Sequence, residues 1–303
     1  MNITLRQLKV FAAVASNQSF TRAAEEMHLT QPAVSMQVKQ LENQLNMPLI
    51  EHLGKKIYLS EAGREVHHYS RAVSQQLDEM EAVLDGLKGL ERGRLTLSIV
   101  ATANYFAPRL LGAFCGRHPG LEVNLDVDNR QTLIAQLKEN EVDMVIMGRA
   151  PADMDLVAAR IMDNPLVVIA PPGHPLAGRK DIPLSSLAGE VFLIREPGSG
   201  TRKAMEDFFA GHGVAIATGM EVSSVEAIKK SVEAGLGLGL MSRDAVGMEL
   251  DLGRLAILDV RHLSILRHWY LIHRKAKRLS PQAQAFKDFV LEEAAGVLEK
   301  KAG

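Results

Sequence analysis

The hydrophobic periodicity of this 303-residue chain changes near Gly89–Gly93, and this change constrains the fold more than any other feature. Before it, apolar residues recur every three or four positions, which is typical of amphipathic helices. After it, short apolar runs alternate with helical segments, which is typical of an α/β domain. A single hydrophobic core stops growing at about 250 to 300 residues. The sequence therefore predicts an α/β protein with an all-α N-terminal part, divided into more than one domain.

The first 62 residues are predicted to form a compact helical unit. Thr30 can cap a helix that holds Pro32 in its first turn, where the missing N–H leaves no intrahelical bond unmade. The small side chains of Ala23 and Ala24 allow this helix to cross the preceding one closely. The layout of Phe20–Leu45 is therefore that of a helix-turn-helix.

The outward face of the helix after Thr30 is the candidate DNA-contacting surface. Glutamine pairs with adenine, and serine and lysine reach bases or phosphates. Residues 1–64 hold seven Lys and Arg against five Asp and Glu, whereas residues 65–92 hold three against six. A solvated face of an ordinary three-helix unit stays the alternative, since amphipathic helices are common whatever the function. The expected DNA contacts are Arg22, Thr30, Gln31, Pro32, Ser35, Met36, Lys39, Lys55 and Lys56.

A single long helix is predicted from Ala62 to about Leu90. Its apolar residues recur in steps of three and four that approximate a heptad, so they form a narrow seam suited to a partner helix. A helix packed against its own chain stays the alternative. The expected dimerisation seam is Val66, Tyr69, Val73, Leu77, Met80, Leu84 and Leu87.

Residues 93–303 are predicted to form two α/β subdomains, the first at about 93–162 plus 268–303 and the second at about 163–267. Strands that alternate with helices imply a parallel sheet with right-handed crossovers. The expected strands are residues 94–100, 121–127, 142–147, 166–170, 191–195, 215–222, 236–241 and 268–273, and the expected helices are 105–117, 132–140, 201–211, 224–234 and a C-terminal one from Ser280.

The cleft between these subdomains is the default ligand site, because loops after parallel strands converge there. Gly198–Thr201 precedes a predicted helix, so free N–H groups and the positive helix end suit an anion, with Arg195 and Arg202 adding charge. A glycine-rich turn needed only for chain geometry stays the alternative, and Thr132, Ser223 and Ser224 equally suit helix caps. The candidate ligand contacts are Thr102, Asn104, Asn129, Thr132, Gly148, Arg149, Arg195, Gly198, Ser199, Thr201, Arg202, Ser223 and Ser224.

Signatures of several enzyme classes are missing. Gly198–Thr201 has the spacing of neither a nucleophile elbow nor a phosphate-binding loop, and the histidines have no partners at metal-ligand spacing. Cys115 is the single cysteine, which excludes an intrachain disulfide and fits a reducing interior. No apolar run reaches about 18 residues. We therefore expect a cytoplasmic protein, not an enzyme, with no metal, cofactor or membrane contact.

Five short runs of the N-terminal region closely resemble the LysR-type transcriptional regulators: Leu5–Phe11, Ser19–Ala24, Gln31–Ser35, Leu41–Glu42 and Leu59–Gly63. The resemblance implies a winged helix-turn-helix at 1–62, a linker and dimerisation helix at 63–92, and an effector-binding region at 93–303 that is similar to periplasmic binding proteins. It also implies a homodimer or homotetramer, with RNA polymerase as a further partner.

Further runs are most similar to the regulators of Calvin-cycle carbon-fixation (RuBisCO) operons, namely Gly54–Leu59, Ile146–Arg149, Asp163–Pro172 and Arg195–Arg202. This resemblance implies control of carbon-fixation promoters, with a phosphorylated metabolite or NADPH as effector. Two alternatives stay open. One is a solute-binding protein or cleft enzyme with a helical dimerisation unit, and the other is a LysR-type regulator that answers to an aromatic or amino-acid carboxylate.

Overall fold

The computed structural model describes residues 3–54, 56–86 and 93–299. The chain divides into two compact units. The N-terminal unit is Met1–Leu84 with Glu139–Glu141, and the C-terminal unit is Asp85–Lys138 with Val142–Gly303.

The N-terminal unit is built from short helices whose first turns are capped by hydroxyl side chains. Thr4 forms a capping box with Gln7, Ser19 accepts from the Arg22 amide, and Thr30 caps the helix predicted after it. The cap at Thr30 confirms the predicted start of the helix that follows it. The elements are α1 Leu5–Asn17, α2 Phe20–Glu26, α3 Gln31–Leu45, the antiparallel hairpin of β1 Ile50–Leu53 and β2 Lys56–Leu59, and α4 Glu61–Gly86.

The C-terminal unit alternates strands and helices. Its strands are β3 Gly93–Val100, β4 Leu121–Asp128, β5 Met144–Met147, β6 Leu156–Ala170, β7 Val191–Ile194, β8 Ala217–Glu221, β9 Leu238–Ser242, β10 Ala256–Ile257 and β11 Leu266–Arg274. Its α-helices are α5 Ala107–Arg117, α6 Arg130–Lys138, α7 Gly200–Gly211, α8 Val225–Glu233, α9 Gly247–Asp251 and α10 Pro281–Glu299. Short 3-10 helices lie at Ala101–Tyr105, Leu184–Leu187 and Arg243–Val246.

The strands run in the order β4-β3-β5-β11-β6-β9-β7-β8. Strands β3, β4 and β5 are parallel, as are β7, β8 and β9, which confirms two parallel sets. The expectation of parallel pairing throughout is wrong for β6 and β11, which are antiparallel to each other and to their outer neighbours. Both strands cross between the two halves of the sheet.

Strand β6 also begins ten residues before the predicted strand, at Leu156 instead of Leu166. The sequence Asp163-Asn164-Pro165 resembles a loop because it is polar and ends in proline. In the structure Asp163 and Pro165 are exposed while Asn164 is buried, so these polar residues follow the alternation of a strand.

Two hydrophobic cores define the two subdomains of the C-terminal unit. The first subdomain comprises β3, β4, β5, α5, α6 and α10, and its core is centred on Trp269, Phe114 and Phe286. The second comprises β7, β8, β9, α7, α8 and α9, and its cores include Phe192 and Ile228. The ends of the parallel strands therefore lie between two separately packed cores. Among the helices within the described ranges, none is both long and apolar enough to cross a membrane.

Candidate functional site

The N-terminal half of α3 presents a polar surface to solvent. Val34, Val38 and Leu41 are buried in the core of the N-terminal unit, which fixes the orientation of the helix. The opposite face forms one continuous groove lined by Gln31, Pro32, Ser35, Met36, Lys39, Gln40 and Asn43. Amides, a hydroxyl and an ammonium are the groups that read base edges and phosphates. The structure therefore brings together five of the predicted DNA contacts on one accessible face.

Lys39 extends into solvent beside this groove and forms an ion pair with Glu42. Its side chain is 70% exposed, and its Nζ lies 3.5 Å from Glu42 Oε2. The other carboxylate oxygen of Glu42, Oε1, accepts hydrogen bonds from the Leu49 and Ile50 amides at 2.8 and 3.3 Å. Glu42 therefore joins the end of α3 to the hairpin. Its ion pair with Lys39 is weak because the lysine is exposed, so a DNA phosphate can replace Glu42 at little cost in free energy.

The remaining predicted DNA contacts lie on neighbouring elements. Thr30 is exposed at the N-terminus of α3, Arg22 is exposed on α2, and Lys56 is exposed on β2. Lys55 lies outside the described residues.

Some residues of the predicted seam of α4 are packed against the protein and others are exposed to solvent. Val66 packs against the core of the N-terminal unit, and Leu77 is half-buried. Tyr69 is 63% exposed, and Val73, Met80 and Leu84 are exposed with it. Leu87 lies outside the described residues. Exposed apolar residues at heptad spacing form a surface suited to a second helix.

A cleft lies between the two subdomains of the C-terminal unit. It is bordered by the carboxyl ends of strands, the floor of β6 and β11, and the N-terminus of α7. Its lining residues are Val100, Ala101, Thr102, Asp128, Asn129, Arg130, Met147, Gly148, Asn164, Arg195, Glu196, Ser199, Gly200, Thr201, Ser242, Arg267 and Trp269.

The structure places six of the predicted ligand contacts in this lining: Thr102, Asn129, Gly148, Arg195, Ser199 and Thr201. Seven others lie outside it: Asn104, Thr132, Arg149, Gly198, Arg202, Ser223 and Ser224. Ser224 caps α8 by accepting from the Ala227 amide, and the amide of Thr132 donates to Asn129 Oδ1. Helix capping therefore accounts for part of the polar signal that the sequence displays near the cleft.

Both arginines that were expected to add charge have carboxylate partners. Arg195 forms a two-bond pair with Glu196, with Nε–Oε2 and Nη2–Oε1 distances of 2.7 and 2.8 Å. Arg202 bonds Glu206 and Glu221 at 2.9 and 2.8 Å, and these hydrogen bonds raise the pKa of Arg202. The positive charge of these two side chains is therefore largely compensated within the protein.

Arg267, which is not among the predicted ligand contacts, lies in the cleft beside glycines of both subdomains. A Cβ placed on Gly148 would lie 3.0 Å from Arg267 Nη2, and one on Gly200 would lie 2.9 Å from it. Burial lowers the pKa of Arg267, and the nearby cations of Arg130 and Arg149 lower it further. The only sequence signal is weak: Arg267 directly precedes the predicted strand 268–273, two positions before Trp269.

Several polar atoms of the cleft have no partner among the described residues. Asn164 Oδ1, Ser242 Oγ and Trp269 Nε1 are buried without a hydrogen bond, although buried polar atoms are nearly always paired. Ser199 makes no side-chain cap on α7, so the first amides of this helix have no side-chain acceptor. The cleft therefore offers donors and positive potential to a small polar anion. Within the described ranges, no group of three or more His, Cys, Asp or Glu is arranged to hold a metal ion.

Two family models match the chain. Residues 5–64 match the bacterial regulatory helix-turn-helix protein, lysR family, and residues 88–295 match the LysR substrate binding domain. A RuBisCO operon transcriptional regulator from Allochromatium vinosum is 54% identical over 295 residues, which cover 97% of this chain and 98% of that relative.

Solved structures of regulators share the fold. The CcmR regulatory domain of Synechocystis PCC6803, in complex with 2-PG, is 40% identical with a TM-score of 0.64, covering 66% of this chain and 96% of that one. Full-length CbnR in complex with its target DNA has a TM-score of 0.71 and covers 95% of this chain and 99% of that one. At 20% identity, the likeness to CbnR supports the fold alone.

Proposed function

The chain belongs to the LysR family of bacterial regulators, and from that membership we propose that it controls carbon-fixation genes in response to a small anion bound in the cleft. As a member of this family it is a DNA-binding transcriptional regulator. The carbon-fixation role is supported by the Allochromatium vinosum relative, whose name assigns it to the RuBisCO operon. We expect it to act in the cytoplasm and to catalyse no reaction.

DNA recognition by α3 is the part of this proposal that the geometry supports best. The observation that carries it is the exposed groove of Gln31, Ser35 and Lys39 on a helix whose opposite face is locked in the core. In helix-turn-helix proteins the early part of this helix enters the major groove. Gln31 and Ser35 then read base edges, while Lys39, Arg22 and the basic hairpin contact phosphates.

The effector we propose is a small phosphorylated acid. The 2-PG bound to the CcmR regulatory domain, 2-phosphoglycolate, is such a compound. The cleft is lined mainly by polar and charged side chains, which suits a small charged ligand. Binding between the two subdomains shifts their relative pose, and in an oligomer this changes how successive α3 helices reach their half-sites.

The test is a titration of DNA binding by fluorescence anisotropy at several salt concentrations, using the promoter region beside a RuBisCO operon. We expect Lys39→Ala to weaken binding to all sequences and to lower the salt slope by about one, since one phosphate contact is lost. Gln31→Ala should relax sequence preference, costing about 1 to 3 kcal/mol on the preferred site.

The matched control is Lys230→Ala, which removes an exposed lysine of the C-terminal unit. Its binding curve should overlay that of the wild type. Binding that ignores both salt and sequence, or that Lys39→Ala and Gln31→Ala leave unchanged, would contradict the assignment of α3.

A further inference from the structure

The floor of the cleft carries an arginine, Arg267, with which no carboxylate of the described residues pairs. We propose that Arg267 determines the specificity of the cleft, by binding a dianionic phosphoryl group in preference to a carboxylate. The inference rests on the proposed role of the cleft as the effector site, and it assigns the discrimination between ligands to one side chain.

Arg267 is held by the two strands that cross between the subdomains. It lies on β11 directly opposite Asn164 on β6, and residues paired across antiparallel strands share one face of the sheet. Trp269, two residues further along β11, is on the same face. These three side chains form the floor of the cleft, so a ligand that binds Arg267 contacts the strands about which the subdomains are joined.

Glycines on both sides leave room for the guanidinium. Gly148 follows β5 of the first subdomain and Gly200 begins α7 of the second, and the Arg267 guanidinium lies against both. Because Gly200 is the first residue of α7, the same guanidinium lies beside the free amides of that helix terminus. A helix N-terminus and a guanidinium at one place form a strong anion site.

The described residues do not neutralise the charge of Arg267. No carboxylate pairs with Arg267 within the described part of the chain, in contrast to Arg195 and Arg202. Arg130, which also lines the cleft, donates to the Arg149 carbonyl and lies close enough to Arg267 to oppose its charge. A half-buried cation beside like charges is unfavourable until an anion binds.

A doubly charged phosphoryl group fits best beside Arg267, Arg130 and the N-terminus of α7. A phosphoryl group offers three oxygens, enough for a two-bond pair with Arg267 and further bonds to the α7 amides. A phosphoryl dianion carries two negative charges, which Arg267 and Arg130 can both attract, whereas a carboxylate carries only one. The unpaired Asn164 Oδ1, Ser242 Oγ and Trp269 Nε1 remain for the other end of the ligand.

The experiment is isothermal titration of the full-length protein with 2-phosphoglycolate, and with malonate as a dicarboxylate probe of similar size. The wild type should bind 2-phosphoglycolate more tightly. Arg267→Gln should weaken that binding by about 10- to 100-fold, the value of hydrogen bonds to a charged group, and should affect malonate much less. Arg267→Lys keeps the charge without the two-bond geometry, so it should recover part of the preference.

The matched control is Arg254→Gln, an exposed arginine outside the cleft, which should bind both probes as the wild type does. Thermal melting and effector-free DNA binding check that each variant is folded. If Arg267→Gln retains the wild-type preference, the inference is wrong while the proposed regulator stands. If the wild type binds neither probe, the proposed effector class fails and the inference with it.

Discussion

At the scale of single residues, Gly63 shows how a backbone contact restricts the choice of side chain. It lies in the first turn of α4, where its amide donates to Ser60 Oγ at 2.9 Å. A Cβ added there would lie 2.0 Å from the Leu49 carbonyl oxygen, a rigid backbone atom. The junction between the hairpin and α4 therefore requires glycine.

We expect Gly63→Ala to destabilise the N-terminal unit by about 1 to 3 kcal/mol, the usual cost of forcing a backbone shift in a packed region. Urea unfolding followed by circular dichroism measures this. Gly112→Ala is the control, because Gly112 lies in α5 with open space around its Cβ position, and alanine favours a helix. Equal unfolding midpoints for Gly63→Ala and wild type would show that the junction relaxes freely.

His273 predicts a pH dependence of stability. It is 6% exposed, its Nδ1 lies 2.9 Å from the Arg274 carbonyl, and its Nε2 accepts from Lys287 Nζ at 3.0 Å. Burial lowers the pKa of His273, and the Lys287 and Lys277 charges lower it further, although the Arg274 carbonyl opposes this. The folded protein therefore holds the neutral ring at pH values where the unfolded chain binds a proton.

The pKa of His273 is lower in the folded protein than in the unfolded chain. The contribution of the neutral ring to the free energy of unfolding is therefore fully present above the unfolded-state pKa of about 6.5, and it is lost as the pH falls below that value. One proton limits the slope to about 1.4 kcal/mol per pH unit. Unfolding free energies measured between pH 5 and pH 8 should fall less steeply with acid for His273→Gln than for the wild type. His68→Gln, at an exposed position on α4, should keep the wild-type slope. Parallel curves for all three would exclude this role.

At this scale the sequence predicts a loop that lines the cleft, but it does not predict which arginines are paired with carboxylates. Gly198–Thr201 was identified from helix-terminus chemistry, and Ser199 and Thr201 do line the cleft. Whether a nearby arginine is compensated depends on the fold, because Glu221, a partner of Arg202, comes from β8. Arg267 lies beside Gly200 in the cleft but belongs to β11, about 70 residues later in the sequence. No local sequence pattern therefore identifies it.

At the scale of elements, a polar cluster around the buried Lys229 links the two subdomains. Tyr105, in the 3-10 helix after β3, donates from its Oη to Glu226 Oε1 on α8 at 2.5 Å. Lys229, 3% exposed on α8, lies 4.8 Å from the Tyr105 ring centroid and pairs with Glu226 and Glu249 at 2.8 and 2.9 Å. Burial, together with the bond to Glu226, raises the pKa of Tyr105 to about 12, so the donor stays protonated.

We expect Tyr105→Phe to loosen this link while keeping the ring in place. The lost hydrogen bond to the largely exposed Glu226 carboxylate contributes about 0.5 to 1.5 kcal/mol, and part of this loss changes the equilibrium between the relative positions of the subdomains. The effector affinity should fall up to about 10-fold by calorimetry, with faster amide exchange in α8. Tyr58→Phe, an exposed tyrosine of β2, is the control. Unchanged affinity and exchange would show that the cluster does not couple the subdomains.

The elements themselves were predicted best where a local rule decides them. The Thr30 cap and the Pro32 in the first turn predict α3, and the alternation of strands with helices predicts the parallel strands. The antiparallel crossing of β6 and β11 was not predicted, because pairing between strands more than 100 residues apart leaves no periodicity in the sequence. The cleft floor belongs to these two strands, so the sequence does not predict that Asn164, Arg267 and Trp269 line the cleft.

At the scale of the whole molecule, the net charge of -1 conceals an uneven distribution. The N-terminal region through Arg64 is the basic part, whereas the α4 region that follows is acidic. Binding to DNA therefore depends on a local basic surface. An oligomer that presents two or more copies of this surface binds DNA more tightly than one copy does.

The exposed seam of α4 predicts how copies assemble. Tyr69, Val73, Met80 and Leu84 present apolar surface at heptad spacing, and LysR regulators form oligomers. Burial of such side chains contributes about 25 cal/mol per Å² of apolar surface, so two charges in the seam should be enough to disrupt pairing. We expect the double variant Tyr69→Glu with Val73→Glu to sediment as a smaller species than the wild type at micromolar concentration.

The same variant separates assembly from recognition. Its affinity for DNA with one half-site should match that of the wild type, because α3 is untouched, whereas affinity for two correctly spaced half-sites should fall at least about 100-fold with the loss of effective concentration. Glu65→Lys, a charge reversal at an exposed position of α4, controls for a general effect of charge on this helix. If the double variant keeps both its wild-type size and its two-site affinity, the seam faces its own chain and a different surface joins the protomers.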